Sequence, residues 1–279
     1  MGLRAAGALP ARVHVMALTS SPSKVASFRG RGITPLQGNL DDAASLRRLS
    51  GLASRVIHLA PPANEVADAR CDERTWKLLR ALRLRGLPQS LVYGSTSGVY
   101  GHCNGDFVPE TRQAKPANAR AYRRVDAENA VRFFGRSSAV PVHILRIPGI
   151  YAPDREGGTP RTRLLKGTPV LVAEDDVYTS HIHADDLARA CLAAMWRGKP
   201  QRISNVNDDT QLKMGDYFDL AADMYGLPRP RRLQRSVAQA QLPPMMLSFM
   251  GESRRLDNSR MKRELGLRLR YPTVHTGLK

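Results

Sequence analysis

A chain of 279 residues carrying a net charge of +18 can bury a sizeable core and sits near the upper limit for one domain. Its 42% apolar content is ordinary for a globular protein, which argues against a disordered chain. No apolar run approaches the ~20 residues that span a bilayer. The opening MGLRAAGALPAR is broken by Gly7 and Pro10 and does not read as a signal peptide, so a cytoplasmic location and no membrane partner are expected. Cys71, Cys103 and Cys191 lack metal-site spacing and cannot all pair, which predicts free thiols. Arginine supplies most of the positive charge. No basic run is interleaved with aromatics as in single-strand binders, so the plainer reading is solvated arginine faces and no nucleic-acid partner.

VHVMAL (13–18) reads as a strand and PSKVASFRG (22–30) as a short helix ending at Gly30. ITPLQG (33–38) is a second strand, and DDAASLRRLSG (41–51) a helix opened by Asp and closed by Gly. RVIHLA (55–60) is a third strand. CDERTWKLLRALRLRG (71–86) is a helix with Trp76, Leu79 and Leu82 on one side and Arg74, Lys77, Arg80 and Arg83 along another. SLVYGS (90–95), a helix over ARAYRRVDAENAVRFFGR and the strand VHILRI (142–147) follow. This alternation predicts a doubly wound parallel sheet with helices on both faces. After Ile150 the pattern loosens: DREGGTPRT is loop-like, LLKGTPVLV a small turn-and-strand unit, and ADDLARACLAAMW (184–196) an amphipathic helix. The expected division is a doubly wound domain over 1–150 and a smaller mixed α/β lobe over 151–279.

Five segments, in this order, resemble the NAD-dependent epimerase/dehydratase branch of the extended short-chain dehydrogenase/reductase superfamily. They are RVIHLA, YGSTSGVYG, the helix carrying VDAE, LRIPGIYAP and HIHADDLARA. The tail SRRLDNSRMKRELGLRLRYPT is similar to the end of this branch, where Leu-Gly leads into a final strand. The resemblance implies a Rossmann-type fold in which 1–150 binds an NAD(P) cofactor and 151–279 is a substrate-binding lobe for a small molecule. It also implies that Thr96, four residues before Tyr100, hydrogen-bonds the reacting oxygen, a task a hydroxyl suits because it both donates and accepts. The alternative is that Ser95, Thr96 and Ser97 only satisfy backbone groups at a strand end.

The chain departs from the family where that family places Tyr-x-x-x-Lys, eight and four residues before the Glu of the Ala-Glu pair. Those positions hold Arg120 and Arg124. Tyr122 is two residues away, about 200° around a helix, and an arginine cannot donate a proton near neutral pH. Arg124 could still bind a ribose or phosphate, and Tyr100 or a water is a candidate acid.

A second departure lies at the start. Dinucleotide-binding folds open with a strand and a Gly-rich turn, whereas MGLRAAGALPAR resembles the end of that turn and the helix after it. Gly2 would be the last glycine, Leu3, Ala6 and Leu9 the packing residues, and Pro10 the close of the helix. The expectation is a sheet lacking its first strand, in a chain that begins late. Further cofactor contacts implied by the resemblance are Ser20 and Ser21, Asn39 and Leu40, His58, Leu59, Ala60 and Pro61, and Pro148. No acid follows VHVMAL, where Thr19, Ser20 and Ser21 stand, which leans weakly to NADP. His181 and His183 share a strand face but lack a third ligand, so no metal is expected, and Asp185 or Asp186 is expected to cap the next helix.

The reading is an atypical NAD(P)-dependent oxidoreductase or epimerase/dehydratase acting on a small hydroxyl- or carbonyl-bearing metabolite, anionic if the Arg-rich tail binds it. The alternative is a non-catalytic dinucleotide-binding or regulatory module, RNA-associated through its charge. Arg229, Arg231, Arg232, Arg235, Arg254 and Arg255 clustered on one exposed face would favour the alternative.

Overall fold

Two apolar runs, SLVYGST and VHILRI, occupy the middle of the molecule, and the other elements are laid against them. The structure, a computed structural model, describes residues 1–63, 70–243, 247 and 250–279. The first half runs α1 (Gly2–Gly7), β1 (Met16–Thr19), α2 (Lys24–Arg29), β2 (Thr34–Gln37), α3 (Ala43–Leu46), β3 (Arg55–His58), α4 (Glu73–Leu82), β4 (Ser90–Thr96), β5 (Phe107–Val108), α5 (Ala119–Ser137) and β6 (Val142–Ile147). The second runs β7 (Gly149–Tyr151), α6 (Arg161–Leu165), β8 (Val170–Leu171), β9 (Tyr178–Thr179), β10 (His181–His183), α7 (Ala184–Arg197), β11 (Arg202–Asn205), β12 (Leu212–Lys213) and α8 (Met214–Tyr225). It closes with β13 (Arg232–Leu233), α9 (Arg235–Gln241), β14 (Arg255–Leu256), α10 (Ser259–Leu265) and α11 (Val274–Gly277).

The main sheet is parallel, in the order β11-β6-β4-β3. β1 and β2 pair in parallel as a separate two-stranded piece, so, as the sequence implies, no strand among the described residues joins the two. Helices cover both faces, as parallel strands buried on each side require. On one face α4 and α5 bury Leu78, Leu79, Leu82, Ala127, Val131 and Phe134 against Tyr93 and Ile144. On the other α7 buries Leu187, Ala190, Cys191 and Ala194 against Val92 and Leu145. A further cluster, with Tyr151, Leu171, Tyr217, Phe218 and Val274, fills the lobe formed by the later short strands and α8. β11, at residues 202–205, belongs to the main sheet, so the second half of the chain serves both bodies.

Several local expectations are corrected. α1 ends at Gly7, before Pro10, and buries Ala5, whereas Leu3 is 37% exposed. The span 41–51 makes one helical turn, capped by the Asp42 side chain, and then a 3-10 turn over Arg47–Leu49. His183 caps α7, its Nδ1 accepting from the Asp185 N–H, because Asp186 points back to accept from the N–H groups of Arg270 and Tyr271. After Leu265-Gly266 the backbone makes loop and bends rather than a strand. Among the described residues no helix is long and apolar enough to cross a membrane, and the three cysteines are free.

Candidate active site

Most of the candidate residues stand at or just after the carboxyl ends of parallel strands, where α/β sheets bind ligands because side chains and backbone groups emerge there from several strands at once. Ser20 and Ser21 follow β1, Asn39 and Leu40 follow β2, Leu59 to Pro61 follow β3, and Pro148 follows β6. His58 and Thr96 are the last residues of β3 and β4. Gly2 and Leu3 open α1, which packs on α7.

Local bonds set each of these residues. The Ser21 N–H donates to Thr19 Oγ1, and the Ser21 and Ser23 hydroxyls share a bond. Asn39 Oδ1 already accepts from the Asp41 N–H, which fixes the turn into α3. His58 is buried with its Nε2 3.0 Å from Thr75 Oγ1, and Thr75 in turn donates to Asp72 Oδ2. Burial, with the charge of Arg124, holds His58 down to about 4, so its ring is neutral. Burial also raises the Asp72 carboxyl above its ordinary range. This His58–Thr75–Asp72 chain was not among the sequence expectations; the only signal for it was Asp72 at a helix start.

Thr96 Oγ1 accepts from the Gly98 N–H at 3.2 Å, the strand-end role a hydroxyl fills readily. Its own hydrogen has no acceptor among the described residues. The chain then turns sharply at Gly101, where φ is +66° and a Cβ would lie 2.2 Å from the Lys115 carbonyl oxygen; only glycine fits. Tyr100 is 1% exposed. Its hydroxyl donates to Asn205 Oδ1 at 2.8 Å, and the Arg146 guanidinium lies 4.6 Å from its ring centroid. Burial raises its pKa, so a proton-donor role would require breaking this packing.

α5 begins at the Asn118 cap, whose side chain accepts from the Ala121 N–H, and runs back along β4. Arg124 is 7% exposed, and its Nη1 donates to the Gly94 carbonyl and the Tyr93 hydroxyl at 2.8 and 3.0 Å. A ribose contact would have to come from its remaining nitrogens. One turn on, Glu128 accepts from Ser95 Oγ at 2.6 Å and from Arg146 through two bonds of 3.1 and 2.7 Å. The Ala-Glu pair that the sequence offered as a landmark is therefore one half of a buried ion pair. Arg120, one turn before Arg124, is exposed. Tyr122 stacks under Arg70, 4.7 Å from its ring centroid, away from this face.

Five of the six tail arginines are engaged within the fold, and Arg231 is exposed. Arg229 pairs with Asp223, Arg232 with Asp219, and Arg254 with Glu252. Arg235 donates to the Asp175 and Met250 carbonyls. Arg255 donates to Gly105 and lies between the Phe107 and Tyr178 rings. His181 and His183 stack on Tyr217 and Tyr271.

Residues 3–207 match the model of the NAD dependent epimerase/dehydratase family. A trifunctional UDP-glucose 4,6-dehydratase/UDP-4-keto-6-deoxy-D-glucose 3,5-epimerase/UDP-4-keto-L-rhamnose-reductase of Arabidopsis thaliana is 25% identical over 168 residues, 57% of this chain and 25% of that protein. The chain thus spans about a quarter of the length of the curated plant relatives it matches. Among solved structures, a conserved protein of unknown function from Silicibacter pomeroyi is 30% identical, with a TM-score of 0.74 over 99% of this chain and 91% of that one. The UDP-glucuronic acid 4-epimerase of Bacillus cereus, solved with UDP-glucuronic acid and NAD, shares the fold at 18% identity and a TM-score of 0.77, over 99% of this chain and 92% of that one. With the parallel sheet and the match over most of its length, the chain belongs to the NAD dependent epimerase/dehydratase family.

Proposed function

We propose that the protein is an NAD(P)-dependent oxidoreductase or epimerase-like enzyme acting at a hydroxyl or carbonyl carbon of a small metabolite. The observation that supports this reading is that Ser20, Asn39, His58, Thr96 and Pro148 each stand at or just after the carboxyl end of a parallel strand, in one or other of the two pieces of sheet. The dinucleotide, when bound, supplies hydride transfer. Ser20, Ser21 and Asn39 would hold its adenosine half, with no acid after β1 to repel the phosphate of NADP. Leu59, Ala60, Pro61 and Pro148 would form the apolar wall beside it, and Gly2 and Leu3 would lie nearest its diphosphate. Thr96 donates its free hydroxyl hydrogen to the reacting oxygen. Arg124 braces the end of β4 and offers its remaining nitrogens to the ribose. Tyr100 is closed in, so the proton at the reacting oxygen comes from solvent through Thr96. The relatives named for UDP-linked sugars fit a substrate whose hydroxyl is oxidised or whose carbonyl is reduced.

A second reading, dinucleotide binding without turnover, is favoured by one observation: Tyr100 and Arg124 both spend their polar atoms inward. The test is oxidation of NADPH and NADH with a panel of keto acids and nucleotide-linked keto sugars. Turnover that falls about 100-fold in Thr96→Ala supports the enzyme. Tight cofactor binding with no turnover on any substrate, and no effect of Thr96→Ala on binding, supports the second reading.

A further inference from the structure

We infer that Arg120 is an anion anchor at the rim of this site, so that the substrate is a small metabolite bearing a carboxylate or phosphate beside its reacting carbon. The inference rests on the enzymatic reading above and names its substrate class.

Positions 120, 124 and 128 lie on one face of α5, and each step of four residues advances about 6 Å along the axis. Glu128 sits against Ser95 and Arg124 against Gly94 and Tyr93. α5 joins the parallel strands β4 and β6, so it runs back antiparallel to them, and it packs on the turn over Ser97–Tyr100 that follows Thr96. Arg120, in the first turn of α5, therefore stands at the end of the helix nearest that turn. Arg146 is cancelled by Glu128, and the field of Arg124 is felt by Asp72. Arg120 has neither kind of compensation: among the described residues it makes no hydrogen bond or ion pair, and the charges acting on it are those of Arg124 and Arg123. Desolvation by partial burial, and then these two like charges, hold its pKa below the usual arginine range, yet it stays protonated at any physiological pH.

An Arg four residues before another Arg weakens a helix, and α5 has no acid in its first turn to offset this. The fold leaves an unpaired, forked donor at the place where the family carries a tyrosine. Guanidinium is suited to binding a carboxylate or phosphate through two parallel bonds. Of the other arginines that the sequence offered for an anionic substrate, Arg229, Arg232 and Arg254 are paired internally.

The experiment titrates the full chain, saturated with NADPH, with malonate, inorganic phosphate and neutral glycerol at fixed ionic strength, read by calorimetry. The chain binds malonate or phosphate and not glycerol, and whichever anion binds more tightly identifies the group. Arg120→Gln weakens that binding about 10-fold or more, Arg120→Lys retains part of it, and Arg136→Gln, the same charge loss at the far end of α5, changes it less than twofold. Equal losses in Arg120→Gln and Arg136→Gln would reduce the effect to net charge and overturn the proposal. Loss of NADPH affinity in Arg120→Gln with anion binding unchanged would assign Arg120 to the cofactor and also overturn it. If the chain does not bind NADPH, the enzymatic reading fails by itself. The anion titration of the unloaded chain then still decides the place of Arg120, by the same difference between variants.

Discussion

The two pieces of the sheet are built from similar sequence and end in different environments. β4 and β6 are buried along nearly their whole length, flanked by strands on both sides. β1 and β2 are four-residue strands with only Thr19 fully buried, and β3, at the edge of the main piece, is half-buried except for His58. An apolar run becomes core only where neighbours cover both its edges and both its faces. The buried piece can therefore hold ionised groups in fixed pairs, as Glu128 and Arg146 show. The half-buried piece carries short hydroxyl and amide side chains that bond to their own turns, which suits a surface that must exchange water for a ligand.

The largest effect expected from this contrast follows from breaking the buried pair. Glu128→Leu leaves Arg146, with a side chain 6% exposed, charged and unpaired. A loss of about 3–5 kcal/mol is expected in a denaturant titration, and Arg146→Met in the same chain should recover much of it. Next, Leu145→Ala in β6, fully buried, should cost about 2–5 kcal/mol. Leu36→Ala in half-buried β2 should cost well under half as much, since fewer contacts are lost. Equal costs would show that both pieces are core. A smaller effect is expected for Tyr100→Phe, which removes the bond to Asn205: about 1 kcal/mol of stability, with the pH profile of any turnover unmoved. A shifted profile would restore Tyr100 as the acid.

A separate effect is expected in pH dependence. Asp208, 1% exposed with Oδ1 bonded to the Thr210 N–H and no bond to Oδ2, is pushed up by burial to about 7. A carboxyl whose folded pKa exceeds its unfolded value of about 3.9 retains its proton longer in the folded state. Its contribution therefore declines as pH rises from about 4 to about 7 and is constant above that window. Unfolding midpoints measured across this range should fall, and Asp208→Asn should flatten the decline.

The main strands and the helices α4, α5 and α7 are legible in the sequence because period and end signals agree over long segments. The order of motifs likewise predicts the parallel sheet and the gap beside β3. What the sequence could not give is where long side chains end. Arg124 and the tail arginines have partners far away in the chain, as with Arg124 and Gly94 or Arg235 and Asp175, and no local spacing encodes them. The same holds for His183, which takes the cap because Asp186 is drawn to the backbone of residues 270 and 271.

The central claim is that the carboxyl edge of this sheet holds a nicotinamide dinucleotide. Calorimetric titration of the chain with NADPH and with NADH tests it most directly. The account predicts saturable binding of one dinucleotide per chain, tighter for NADPH and competed by the other form. A flat titration with both, from a chain that unfolds cooperatively and is therefore folded, would contradict it.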